Sequence, residues 1–151
     1  MSSEPSILIV EDNEDDFFIL KRAFSSAGVK PTLRQVTDGE EAIHYLSGVG
    51  KYSDRVAFPL PLLVLLDLKL PKIPGHDVLG WIRQRPELSG LVVIVLSSSK
   101  ETSDIEKAYR LGTNAYMVKP SALNELVDAI KALQIFWLRY NIFLPQPAAS
   151  N

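Results

Sequence analysis

The sequence predicts a doubly wound α/β fold, with one mostly parallel sheet of five strands and helices on both faces. Three observations carry this expectation. Short β-rich runs alternate with helical patterns along nearly the whole chain, five times over. Several of these runs are uniformly apolar, as strands covered on both faces are. The 151 residues, 46% apolar and 23% charged, fit one domain with enough apolar material for one sizeable core.

Ile7-Leu8-Ile9-Val10 reads as the first strand, followed by acidic punctuation from Glu11 to Asp16. Helical spacing then places Phe17, Leu20 and Phe24 on one face, and Gly28 suits the helix end. Thr32 to Val36 alternates apolar and polar, the pattern of a strand near an edge. Ala42, Ile43 and Leu46 mark the inner face of a short second helix. From Ser47 to Pro61 two glycines and two prolines make a long connection, expected to be a surface excursion that partly covers something.

Leu62 to Leu66 is the most apolar run, expected at the centre of the sheet and ending at Asp67. Pro71, Pro74 and Gly75 form a tight connection to a helix with Val78, Leu79 and Ile82 inward, stopped by Pro86. Val92 to Leu96 is the fourth strand, ending at Ser97-Ser98-Ser99. A helix carrying Ile105, Ala108 and Leu111 closes at Gly112. Ala115 to Val118 is the fifth strand, ending at Lys119-Pro120, after which Ser121 reads as the N-cap of the last helix.

That helix should turn Leu123, Leu126, Val127, Ile130, Leu133 and Trp137 inward. Ile135, Phe136, Leu138, Tyr140, Ile142 and Phe143 add apolar bulk on other sides, which calls for a covering surface. A fold-back onto the same domain is one solution; self-association or a partner-docking patch is the preferred one. The expected organisation is a flexible start at 1–5, one domain over 6–144 with its last helix and apolar extension at 122–144, and a flexible tail at 145–151.

Composition removes several classes of function. Sixteen basic and eighteen acidic side chains give a net charge of −2. No basic excess marks a nucleic-acid footprint, and no lysine-rich run marks a membrane surface. The absence of cysteine excludes disulfides, zinc–thiolate sites and thiol nucleophiles. The N-terminus MSSEPS lacks the basic-then-apolar run of a secretory signal, and no apolar stretch approaches the length of a bilayer span. A soluble, cytoplasmic protein is expected, without nucleic-acid or membrane partners. The only histidines, His44 and His76, fall on predicted helix surfaces, which argues against histidine catalysis and a histidine metal site.

Ligands of such open sheets sit outside the carboxyl ends of the strands, where strand order reverses. Those ends carry Glu11 and Asp12, then Asp67, then Ser97, then Lys119. Carboxylates packed together repel one another, and a divalent cation removes the difficulty; Mg²⁺ takes an oxygen shell of one or two carboxylates, waters and a phosphate oxygen. Asp67, after five apolar residues, should emerge deep in the site on a rigid strand. A carboxylate can act as a nucleophile on phosphorus to give an aspartyl-phosphate, with catalysis mainly by positioning and charge stabilisation. Metal at Glu11 and Asp12, the Lys119 ammonium and the Ser97 hydroxyl supply one partner for each phosphoryl oxygen. Singly, each residue has an ordinary structural reading: a turn former, a helix-start charge, a backbone-satisfying hydroxyl, a lysine paired with a carboxylate.

ILIVEDN at the start, LLVLLDLKLPKIPG around Asp67, VVIVLSSS around Ser97 and AYMVKP at Lys119-Pro120 together resemble a receiver domain of a two-component response regulator. The resemblance implies a flavodoxin-like fold with strand order 2-1-3-4-5 and five helices. It implies that Asp67 accepts a phosphoryl group from a phosphohistidine of a sensor histidine kinase. Mg²⁺ or Mn²⁺ would be held by Glu11, Asp12 and Asp67 with the backbone carbonyl of Lys69. Ser97 and Lys119 would contact the phosphoryl oxygens, and Ser97 with Tyr116 would form the switch. Tyr116 equally fits a plain half-buried aromatic. The Lys119-Pro120 bond is cis by the same implication. The acidic pair is Glu-Asp where the family more often has Asp-Asp. EDNEDDFFILKRAF, the long loop before Leu62 and the tail IFWLRYNIFLP further resemble the small response regulators that serve bacterial, especially cyanobacterial, phytochromes.

The expectation is therefore a stand-alone receiver whose output is a protein–protein event, not a turnover enzyme. It should form a homodimer through its fourth helix, fifth strand and fifth helix together with the C-terminal extension. Three rivals are weaker. A flavin or nucleotide module needs a glycine- or hydroxyl-rich cradle where this chain has EDNEDD. A phosphatase of the aspartate-nucleophile class usually has a second Asp where Lys69 stands. An unphosphorylated pseudo-receiver scaffold would have no use for the full acidic set.

Overall fold

In a computed structural model, residues 5–26 and 31–145 are described. Five parallel strands, β1 (Ser6–Val10), β2 (Thr32–Val36), β3 (Leu63–Leu66), β4 (Val92–Ser97) and β5 (Ala115–Val118), form one sheet in the order β2-β1-β3-β4-β5. The helices between them are α1 (Glu14–Ser25), α2 (Gly39–Ser47), α3 (Gly75–Arg83), α4 (Thr102–Arg110) and α5 (Leu123–Gln134). Both the parallel sheet and its order agree with the sequence expectation. Gly28, the expected end of the first helix, and residues 1–4 and 146–151 lie outside the described residues.

Strand periodicity divides the core in two. Leu8, Val10, Val64, Leu66, Val93 and Val95 face α2, α3 and α4 with Ala42, Tyr45, Val78, Leu79, Ile82 and Ala108. Ile7, Ile9, Leu63, Leu65, Ile94 and Leu96 face α1 and α5 with Leu20, Phe24, Ile130 and Leu133. The three inner strands are buried on both faces, which is why their sequences are continuous apolar runs.

Local chemistry sets the helix starts. Asn13 accepts from the Asp16 N–H at 2.9 Å, and Asp38 accepts from the Glu41 N–H at 2.7 Å while Glu41 reaches back to the Thr37 N–H at 3.0 Å. Gly48, with φ 70°, closes α2 in the left-handed conformation. Four local expectations are corrected. The N-cap of α5 is Ala122, not Ser121, with no side-chain cap, and the first turn is exposed to solvent. Because the helix begins one residue later, Leu123 lies in that solvated turn and is exposed rather than inward. Ile43 is half-buried, and Tyr45 takes the inner face of α2 beside Ala42 and Leu46. The Lys119–Pro120 bond is trans.

The long connection is ordered by an aromatic cluster of Tyr45, Tyr52 and Phe58, with centroids 4.8 to 6.2 Å apart. Arg55 spans it, donating to the carbonyls of Tyr45, Leu46 and Phe58 at 2.8 to 3.1 Å. The excursion thus covers the C-terminal end of α2, whose last carbonyls need donors. At the other end of the chain α5 continues as a π-helix over Ile135–Tyr140. Leu138 and Phe143 pack back onto the α1/α5 core and Leu144 lies against Gly90, whereas Ile135, Phe136, Tyr140 and Ile142 stay exposed. Fold-back therefore accounts for part of the apolar tail only. Among the described residues no helix is long and apolar enough to cross a membrane.

Candidate functional site

The carboxyl ends of β1, β3, β4 and β5 meet at one edge of the sheet, and each site residue continues the ladder of its strand. The Glu11 N–H donates to Val36 O at 3.0 Å, the Asp67 N–H to Val10 O at 3.2 Å, and the Lys119 N–H to Ser97 O at 2.8 Å. These positions are therefore held by the sheet and not by loose loops. Glu11 is buried at 2% exposure, while Asp12 next to it is exposed. The Asp67 side chain retains 12% exposure and that of Lys119 17%.

Lys119 ties the carboxylates together. Its Nζ donates to Glu11 Oε1 at 2.6 Å and to Asp67 Oδ2 at 3.0 Å, and lies 3.6 Å from Asp16 Oδ2. Asp16 was not singled out as a site residue; its place in the first turn of α1, one turn beyond Asp12, is the signal that could have found it. Glu11 Oε2 also accepts from the Asn13 N–H at 3.2 Å, and Asp67 Oδ1 from the Lys69 N–H at 3.2 Å. Burial pushes the Glu11 carboxyl above its ordinary pKa, and its bonds to Lys119 and Asn13 offset this only in part. Burial works against the Lys119 ammonium, but the bonds and charges of Glu11 and Asp67 outweigh it and hold its pKa above its ordinary value.

Glu11, Asp12 and Asp67 each offer a carboxylate oxygen, all within 4.8 Å of one another. Three carboxylates facing one ammonium leave negative charge over, and an all-oxygen set is the chemistry of hard divalent cations. The residues present fit such an ion.

Ser97 ends β4 fully buried, with its Oγ accepting from the Ser99 N–H at 3.1 Å; Ser98 is exposed. Tyr116 is half-buried against the α2/α3/α4 core and donates its hydroxyl to Ser99 O at 2.9 Å. His44 is exposed, whereas His76 is half-buried, its Nε2 3.1 Å from the Asp104 carbonyl. Neither histidine is among the groups bonded to Asp67 or Lys119.

Residues 7–131 match the family model of the response regulator receiver domain. The chain belongs to that family. It is similar to the response regulator Rcp1 of Synechocystis, 34% identical over 132 residues covering 87% of this chain and 88% of Rcp1. The Mn(2+)-bound form of Rcp1 has a TM-score of 0.86, covering 93% of this chain and 99% of that one at 32% identity. The phosphorylated cyanobacterial phytochrome response regulator RcpA has a TM-score of 0.87 at 35% identity, with 93% and 99% covered. The probable methanogenesis regulatory protein FilR2 of Methanothrix harundinacea is 35% identical over 138 residues, covering 89% of this chain and 84% of FilR2. The chain is thus a receiver of two-component signalling, and divalent metal binding is a property of such domains.

Proposed function

We propose that this receiver takes a phosphoryl group on Asp67 from a phosphohistidine of a sensor histidine kinase, and that a phytochrome-type kinase is the donor. The observation that carries the reading is the pairing of Asp67, at the carboxyl end of the central strand, with the Lys119 ammonium at 3.0 Å beside the Glu11–Asp12 carboxylates. An Asp67 oxygen bonds to phosphorus as the N–P bond of the donor breaks, and the electron pair returns to the imidazole nitrogen. Lys119 is already placed to stay with the charge that arrives at Asp67. Ser97 contacts a second phosphoryl oxygen once its hydroxyl turns outward from the buried end of β4.

Glu11, Asp12, Asp67 and the carbonyl of Lys69 would hold Mg²⁺ or Mn²⁺. When bound, the ion neutralises charge on the phosphoryl group and on the clustered carboxylates. Phosphorylation replaces the single carboxylate charge of Asp67 with about two negative charges on the phosphoryl group, a net gain of about one, and biases a two-state element through new hydrogen bonds. Tyr116 and Ser97 are the switch residues, and the surface of α4, β5 and α5 with the exposed apolar tail is where a second copy docks. The domain is a phosphoacceptor that also releases phosphate by itself, not a turnover enzyme, and it works in the cytoplasm. The similarity to the phytochrome response regulator RcpA supports the phytochrome donor, and the bond between Lys119 and Asp67 supports the acceptor role.

The test is incubation with acetyl phosphate and Mg²⁺, and with phytochrome-type kinases, for wild type and Asp67→Asn. The expected result is a mass gain of one phosphoryl group in wild type only, with a shift toward dimer on size-exclusion chromatography. Equal labelling of both proteins removes Asp67 from its role, and no mass gain in either favours an unphosphorylated scaffold.

A further inference from the structure

Ser99, two residues beyond the buried end of β4, uses every polar atom it has. Its N–H donates to Ser97 Oγ at 3.1 Å, and its carbonyl accepts the Tyr116 hydroxyl at 2.9 Å. Its own hydroxyl donates to Asp104 Oδ2 at 2.6 Å and accepts from the Glu101 N–H at 3.2 Å. The residue is 8% exposed. Asp104 is the third residue of α4, a helix whose N-cap, Glu101, makes no side-chain cap bond. The Ser99–Asp104 pair therefore ties the loop to the first turn of the helix. His76 of α3 meets the same turn; a carbonyl only accepts, so its Nε2 carries the hydrogen toward Asp104 O at 3.1 Å.

We infer that Ser99 is a positioning residue of the switch: its hydroxyl, anchored on Asp104, fixes the carbonyl that holds Tyr116, so that Tyr116 and the start of α4 move together. The backbone of Ser99 supplies the link to the phosphoryl side through Ser97, and its side chain supplies the link to α4. A hydroxyl that donates and accepts at once can be replaced by threonine but not by alanine. This role rests on the reading of Ser97 and Asp67 given above, because the signal enters through them. Its structural half, the dependence of Tyr116 on the Ser99 hydroxyl, exists without phosphorylation.

The experiment compares wild type, Ser99→Ala, Ser99→Thr, Tyr116→Phe and the Ser99→Ala/Tyr116→Phe double variant. In the unphosphorylated protein, loss of the clasp should speed amide exchange at residues 102–105 by about five-fold, the loss of one net hydrogen bond. It should also shift the Tyr116 ring resonances, and Ser99→Thr should restore both. A residue that merely capped α4 would speed exchange as well, so the decisive readout is the coupling. The rate of phosphorylation by acetyl phosphate should fall in Ser99→Ala but fall no further when that change is added to Tyr116→Phe. Additive effects, or unmoved Tyr116 resonances in Ser99→Ala, overturn the inference. If Ser99→Ala does not fold, Asp104→Ala is read in its place against the same outcomes. Absence of a phosphoryl mass gain in wild type sinks the Asp67 reading, while the ring resonances of the unphosphorylated variants still decide the role of Ser99.

Discussion

Replacing Lys119 by alanine tests the site as an electrostatic unit. The ammonium bridges Glu11 at 2.6 Å and Asp67 at 3.0 Å, with side-chain exposures of 17%, 3% and 12%. Removing one partner from a buried pair costs about 3–5 kcal/mol, because the remaining charge is left buried and unpaired. Lys119 keeps some contact with water and its removal relieves its own dehydration, so the low end of that range, about 3 kcal/mol, is expected. With a urea m-value of about 2 kcal/mol/M, the unfolding midpoint should fall by about 1.5 M. The assay is urea unfolding followed by circular dichroism at pH 8 in EDTA, so that no divalent cation replaces the lost charge. The penalty should shrink at pH 5. Without the ammonium, Glu11, already pushed up by burial, takes up a proton more readily in the folded variant, which relieves the repulsion with Asp67. A loss below about 1 kcal/mol at pH 8, the scale of a solvated surface pair, would refute the reasoning.

Gly75→Ala should distort the acceptor loop, because a Cβ there runs into Asp67 O and lies 2.6 Å from Leu68 Cα. About 1–3 kcal/mol of stability should be lost, together with most of the phosphorylation rate, measured by thermal melts and by acetyl-phosphate labelling. Unchanged labelling would separate the loop from the chemistry. Tyr45, buried and donating to Pro59 O at 2.9 Å, has its pKa raised chiefly by burial. The neutral phenol is favoured in the fold, so its contribution is full below the unfolded value of about 10 and is lost as pH rises through the folded one. Tyr45→Phe should cost about 1 kcal/mol at pH 7 and lose less than wild type above pH 10, so the two stability curves should converge. Curves that stay parallel to pH 11 would count against this.

Much of the candidate site was legible because each member sits at a strand end, and a strand end is visible locally as an apolar run meeting a polar residue. Glu11, Asp67, Ser97 and Lys119 all stand where an apolar run meets a polar residue. The bonds among them were not legible. Lys119 is 108 positions from Glu11 and 52 from Asp67, and no local pattern says which carboxylate is nearer. Asp16 and the Ser99–Asp104 clasp were missed for the opposite reason. Both lie in polar stretches where any hydroxyl or carboxylate passes for a solvated turn residue or helix-start charge.

Strand and helix periods, together with the burial of an all-parallel sheet on both faces, are properties of consecutive residues, and so the amino-acid order alone determined the element order and the core. The end of the chain shows where that stops. Ala122 and not Ser121 begins α5, Leu123 turns outward, and Leu138 and Phe143 return to the domain while Phe136 and Tyr140 do not. Apolar content says that a residue gains by being covered but not by what. Only the tertiary structure decides that, because the covering surface is built from residues distant in sequence and its geometry is set by sheet register and helix packing.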